Sequence, residues 1–290
     1  MHKPTRHRRT YARLTAATVL ALGAGLASTT LAGPAVAVPG LVRAAAVGAG
    51  DSASTKETIA TCPVGTRVLG GGGAIQGGDS HVRLTRLQAL GSTDQFAVGA
   101  AEDGAYAGSW LLFAYAICGQ APAGLQYVSF HSPSDSDGHK TGSVECPAGT
   151  TAISYGGRTT GGGGHVVLTA IGPTGGLTGT KVIADEDEDG LATDWSMWAY
   201  AVCANPLPGQ QLVYADALPA DSVPDTVTVA CPSAKRVHGL GSTITSGFGE
   251  VHHHELTPNA TLTSVTVIAV EDASGAGQNW WTRGYAVCAY

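Results

Sequence analysis

The six residues Trp198-Ala199-Tyr200-Ala201-Val202-Cys203 decide how this chain is read. In an extended strand successive side chains point to opposite faces. Trp198, Tyr200 and Val202 therefore share one face, and Ala199, Ala201 and Cys203 the other. Both faces are apolar, which marks a central strand whose small-residue face lets another layer approach closely around the cysteine. The same text recurs as Ala114-Tyr115-Ala116-Ile117-Cys118 and Gly284-Tyr285-Ala286-Val287-Cys288.

Working outward, each closing cysteine has an opening partner 56 or 57 residues before it, at Cys62, Cys146 and Cys231. The openings read Cys62-Pro63-Val64-Gly65-Thr66, Cys146-Pro147-Ala148-Gly149-Thr150 and Cys231-Pro232-Ser233-Ala234-Lys235. An acidic pair precedes each closing strand (Glu102-Asp103, Glu186-Asp187, Glu271-Asp272), and Asp51-Ser52, Asp135-Ser136 and Asp221-Ser222 lead into the units. Self-similarity at a fixed period is the mark of a repeat architecture. The chain divides into residues 1–37, a signal peptide, and three β repeats at 38–123, 124–208 and 209–290.

The leader is read from its basic start (Lys3, Arg6, Arg8, Arg9, Arg13), its apolar Ala/Leu-rich run and the small residues Ala35 and Ala37 before Val38. Export to an oxidising compartment and an even cysteine count make one disulfide per repeat the simplest pairing: Cys62–Cys118, Cys146–Cys203 and Cys231–Cys288. The full chain carries 16 Lys+Arg against 22 Asp+Glu. Removing the five leader cations leaves 11 against 22, a net of −11, which excludes a nucleic-acid partner and a membrane partner after cleavage.

No sustained 3.6-residue apolar pattern follows the leader, and short β-branched and aromatic runs are bounded by Gly, Pro, Asp and Ser. The fold expected is all-β. In the second repeat strands are expected near 126–130, 141–146, 152–158, 165–171, 180–184 and 195–203. Two architectures fit: a pseudo-threefold assembly of the β-prism or trefoil kind, or three small sandwiches in tandem.

The pattern Cys-Pro-x-Gly-Thr, Gly-Gly, Tyr-Ala-(Val/Ile)-Cys resembles a repeat of secreted actinobacterial and other bacterial proteins. The resemblance covers all three units and departs in the third at Ser233-Ala234. It implies secretion, β structure and the same cysteine pairing, and it brings no catalytic residues.

Chemistry-bearing residues are few. No Gly-x-Ser-x-Gly elbow occurs, and His81 and His165 occupy equivalent places where the third repeat has Glu250, so no catalytic role is shared by all three. His252 and His254 would share a strand face with Glu250 as a weak metal-ligand candidate, the alternative being an exposed polar strand. The run Asp185-Glu186-Asp187-Glu188-Asp189-Gly190 could bind calcium or form a solvated hairpin. Trp195 and Trp280 lie on the cysteine face and are expected in the core. Trp110, Trp198 and Trp281, beside Glu102, Asp103, Glu186, Asp187, Glu271 and Asp272, form the candidate ligand set, because a sugar stacks its C–H face on a ring while its hydroxyls bond to acids.

The expectation is a secreted, non-catalytic protein that binds an extracellular glycan or cell-surface polymer, with three weak sites gaining avidity. Alternatives are a self-assembling cell-surface protein, or an extracellular hydrolase or hydrolase inhibitor.

Overall fold

The computed structural model describes residues 38–219 and 224–290. The expected leader and the Asp221-Ser222 lead-in lie outside the described residues. The first repeat forms β1 (Val42–Val47), β2 (Thr55–Thr61), β3 (Arg67–Gln76), β4 (Val82–Leu90), β5 (Gln95–Glu102) and β6 (Leu111–Gly119). The second forms β7 (Gln126–His131), β8 (His139–Glu145), β9 (Thr151–Thr160), β10 (Val166–Pro173), β11 (Gly179–Glu186) and β12 (Ser196–Ala204). The third forms β13 (Gln211–Asp216), β14 (Asp225–Ala230), β15 (Arg236–Thr245), β16 (Val251–Pro258), β17 (Ser264–Glu271) and β18 (Trp281–Ala289). The six strands expected in the second repeat are all present.

Each repeat splits its six strands into two half-sheets, the first, sixth and third in one and the second, fifth and fourth in the other. Half-sheets of different repeats then join into six-stranded sheets ordered β1-β6-β3-β16-β17-β14, β13-β18-β15-β10-β11-β8 and β2-β5-β4-β9-β12-β7. Every sheet thus belongs to two repeats, and the exchange closes in a ring. This is the pseudo-threefold alternative; independent sandwiches in tandem are ruled out, since no repeat owns a complete sheet.

The junctions are narrow. β3 meets β16 through Gly73–Leu256 and Ala74–Glu255, β9 meets β4 through Gly157–Leu87 and Arg158–Arg86, and β15 meets β10 through Ser242–Ile171 and Thr243–Ala170. The glycine clusters have their reason here. A Cβ on Gly72, Gly156 or Gly241 would run into the carbonyl oxygen of Leu256, Leu87 or Ile171 across the junction. Leu87, Ile171 and Leu256 themselves lie in one apolar core shared by all three repeats.

The disulfides form as expected, with Cα–Cα distances of 5.6, 5.7 and 5.7 Å. Each opening cysteine follows a strand of one sheet while its partner sits in another, so the three bridges link the three sheets pairwise. The turn after each opening cysteine needs a positive φ, which Gly65 (85°) and Gly149 (83°) adopt freely. Ala234 takes the same place at 65°, so the departure from the repeat pattern carries local strain.

Candidate functional site

The structure separates the expected Trp-plus-acid set into an interior part and a surface part. Trp110, Trp195 and Trp280 are equivalent, each 0–1% exposed. Their indole Nε1 groups donate to Glu102, Glu186 and Glu271 at 2.9, 2.6 and 2.7 Å. Burial of Trp195 and Trp280 was expected; Trp110 is a correction, because it offers no face to a ligand, and with it Glu102, Glu186 and Glu271 become internal acceptors that let the indoles be buried. The lead-in aspartates serve the same layer. Asp51 and Asp135 pair with Lys56 and Lys140, whose ammonium groups lie 4.0 and 4.6 Å from the Trp110 and Trp195 ring centres.

The second acid of each pair turns to the pseudo-threefold axis. Asp103, Asp187 and Asp272, one from each repeat, surround the fully buried guanidinium of Arg83. It pairs with Asp103, reaches Asp187 at 3.3 Å, and lies 3.8 Å from Asp272. His165 Nδ1 sits 3.1 Å from Asp187 and 3.5 Å from Asp103. Burial pushes the Asp187 carboxyl up to about 6, against the opposing pull of Arg83. Glu250 is pushed up to about 8 by burial and by its hydrogen bond with Glu188, whose own carboxyl is lowered.

Two groups of possible metal ligands result among the described residues: Asp103, His165 and Asp187, and Glu188, Glu250 and Asp272, each set within 4.8 Å. In the first, both carboxylates are ion-paired with Arg83. In the second, Asp272 Oδ1 is committed to the backbone N–H groups of Ser274 and Gly275 and to the Ser274 hydroxyl. This is a salt cluster that ties three repeats together, in which breaking one partner is costly.

The expected His252, His254 and Glu250 edge does not form. A bulge between His253 and Glu255 breaks the alternation of β16, Glu250 joins Glu188 and Asp272, and His252 and His253 are buried rather than on an exposed strand. Burial holds the His253 imidazole down at about 4 while its Nδ1 meets the Leu168 carbonyl at 2.9 Å. The run 185–190 divides: Glu188, Asp189 and Gly190 are exposed in the turn after β11, as the solvated-hairpin reading expects, whereas the first three carboxylates are engaged. Asp185 meets His139 and Thr169, Glu186 meets Trp195 and the Leu191 N–H, and Asp187 meets Arg83 and His165. The carboxylates fan apart and do not face one centre.

The surface part lies on the outer face of the sheet β2-β5-β4-β9-β12-β7. One row of directly paired residues crosses all six strands: Glu57, Gly99, Arg86, Arg158, Trp198 and His131. At the usual strand spacing the row is about 24 Å long. The Trp198 ring stacks on His131 at 3.9 Å and 10°, and is coplanar within 2° with Tyr200 at 5.9 Å. Hollows of ≈ 270 and ≈ 230 Å³ flank the row, the first bordered by Glu57, Arg86, Gly99 and Arg158 and the second by Gln88, Tyr127, Ser129 and Tyr200.

The other two sheets repeat this face only in part: Phe113 stacks with Tyr115 at 6.5 Å and 8° in one, and Arg283 lies over the Tyr214 ring in the other. Counting back from the closing cysteines, Phe113 and Arg283 stand where Trp198 stands, and Arg283 is held by Asp216 at 2.5 and 2.7 Å. Trp281 lies two residues earlier, at the start of β18, and is half-buried. Three equal sites are therefore absent from this surface.

Arg83, Arg86, Arg158, Tyr200 and His131 were missed as site residues from sequence. Only Tyr200 left a signal, through the tyrosine three residues before every closing cysteine; the Arg86–Arg158 contact joins different repeats and leaves none. No helix among the described residues is long and apolar enough to cross a membrane, and three disulfides accord with an oxidising compartment. No protein-family model matches this chain, and no curated protein matches it either.

Proposed function

We propose that this chain is a secreted, non-catalytic binding protein for an extracellular glycan or cell-envelope polymer, with the outer face of the β2-β5-β4-β9-β12-β7 sheet as its recognition surface. The observation that carries the reading is the stacked Trp198–His131 pair with Tyr200 beside it, set in a row of polar side chains on a rigid six-stranded sheet. Such a face offers flat rings for sugar C–H groups and polar tips for hydroxyls. The non-catalytic part rests on the acids: the three glutamates hold indoles and the three aspartates surround Arg83. The basic leader and small-residue cleavage site support export, with the disulfides formed afterwards.

The test is a glycan and cell-wall polysaccharide array probed with the oxidised chain from Val38. Saturable binding that Trp198→Ala removes without lowering the melting temperature is the expected result. Absence of binding to every glycan overturns the reading. A second reading, self-assembly at a cell surface, is favoured by one observation: the edge strand β1 exposes Val42 and Val47, and open edges template further pairing. It expects concentration-dependent oligomers in sedimentation and indifference to sugars.

A further inference from the structure

The two arginines in the row are only partly satisfied at home: Arg86 Nε donates to Gln88 Oε1 at 2.8 Å, and the Tyr200 hydroxyl partners Arg158. Arg86 and Arg158 are directly opposed across the β4–β9 junction, and like charges placed opposite each other on one sheet face destabilise it. Elsewhere the half-buried or buried arginines are satisfied at home. Arg43 donates to the Pro258 carbonyl, Arg67 pairs with Asp94, Arg283 with Asp216, and Arg83 with its three aspartates. Arg86 meets Glu57 at 2.5 Å. Arg158, half-buried, has no carboxylate within ion-pair distance among the described residues, in a chain that carries 22 Asp+Glu. The two guanidinium groups therefore have one paired carboxylate, on the Arg86 side.

The surroundings fit an incoming anion. The ≈ 270 Å³ hollow borders both arginine residues, and its lining includes the small residues Gly99, Ala100 and Ala101. Arg158 is the direct cross-strand neighbour of Trp198, their backbones one strand spacing apart, about 5 Å, so one ligand can reach both side chains. That is the scale of one sugar unit and its substituent. Guanidinium forks match carboxylate and phosphate oxygens in two-point contacts, whereas neutral hydroxyls gain little from them. The equivalent junction positions are Ala170 and Thr243 in one sheet and Glu255 and Ala74 in another, which confines the feature to this face.

We propose that this face selects an anionic polymer of sugar or polyol units, one unit resting on Trp198 and its carboxylate or phosphate held between Arg158 and Arg86. The inference rests on the reading of the Trp198 face as the glycan surface and adds the charge of the ligand. Carboxylate and phosphate share the chemistry that these arginines recognise, so separate probes distinguish them.

The experiment is calorimetric titration of the oxidised chain from Val38 with an oligogalacturonate, a poly(glycerol phosphate) and a neutral maltooligosaccharide of similar length. It is run on wild type, Trp198→Ala, Arg158→Lys and the double variant Arg86→Gln/Arg158→Gln, with melting temperatures measured alongside. At least one anionic probe should bind tenfold or more tighter than the neutral one, about 1.4 kcal/mol. The double variant should lose that margin with an unchanged melting temperature, Arg158→Lys should keep only part of it, and about 1 M salt should weaken it, since screening then acts within about 3 Å. The anionic probe that binds names the group. Equal binding of neutral and anionic probes, dependent on Trp198 but not on the arginines, overturns the charge selection and leaves the glycan surface standing. Absence of binding by all three probes overturns the charge selection and contradicts the glycan reading with it.

Discussion

Arg83 and Arg86 lie three residues apart on β4 and face opposite ways. Arg83 is fully buried on the pseudo-threefold axis among Asp103, Asp187 and Asp272, one carboxylate from each repeat. Arg86 looks outward beside Arg158, with Glu57, on the far side of Arg86, as the one carboxylate paired to either. In the interior the guanidinium is paired in place, because an ion out of water is stable only when paired and hydrogen-bonded. On the outer face water screens the mismatch, so uncompensated charge can persist where a ligand will meet it. The same residue type therefore holds the fold together at one site and remains available at the other.

That contrast can be broken most sharply at Arg83. Arg83→Leu removes the cation from two buried carboxylates and a half-buried one and should destabilise the fold by about 3–5 kcal/mol, read as a drop in the denaturation midpoint. Adding Asp103→Asn, Asp187→Asn and Asp272→Asn should return part of the loss, since a neutral cluster no longer needs the guanidinium. If Arg83→Leu melts like wild type, the axial cluster is not what holds the repeats.

A smaller effect is expected at the far end of β15, where His238 is buried with its Nε2 unpartnered and its imidazole held down at about 4 by burial. The equivalent residues are Leu69 and Ile153. A base with a depressed folded pKa gives up stability as pH falls, because the unfolded chain takes up a proton first, below about 6.5. His238→Ile should then flatten the loss between about pH 6.5 and 4 and add about 1–3 kcal/mol by removing an unsatisfied buried group. Denaturation midpoints at pH 4.5 and 7.5 check both parts.

Glu250 runs in the other direction. Its carboxyl, raised to about 8 by burial, Glu188 and the Asp272 charge, keeps a proton that the unfolded chain releases above about 4.5. Stability from this group therefore falls as pH rises between 4.5 and 8. Glu250→Gln should match wild type near pH 4 and exceed it above pH 8. A variant with the wild-type pH dependence would show that Glu250 does not titrate in this window.

The smallest effect belongs to the outer face. Arg158→Gln should change stability by less than about 0.5 kcal/mol, or raise it slightly by relieving Arg86. A large destabilisation there would make Arg158 a structural residue like Arg83 and erase the contrast.

Much of the fold was legible before the structure. The cysteine period fixed the repeats and the bridges, and alternation in the closing strand placed Ala199, Ala201 and Cys203 inside. The exchange of half-sheets was not legible, because each junction is only two residue pairs wide and its one mark is a glycine that admits a neighbour's carbonyl. The cysteine face places Trp195 and Trp280 inside, and closeness to acids places Trp110 in the ligand set, whereas counting back from the closing cysteines puts all three eight residues away and hence in equivalent buried positions. Arg83 gave no repeat signal, since Val167 and His252 occupy its place in the other units. A site made by residues of two repeats escapes any reading that treats one repeat at a time.

The most direct measurement pairs binding with stability in two single variants, Trp198→Ala and Asp272→Asn, using the polysaccharide that wild type binds best. The account expects a crossed result. Trp198→Ala loses binding and keeps its melting temperature, whereas Asp272→Asn keeps binding and melts lower. An Asp272→Asn protein that melts like wild type but no longer binds would place the ligand at the axial acids and contradict the account.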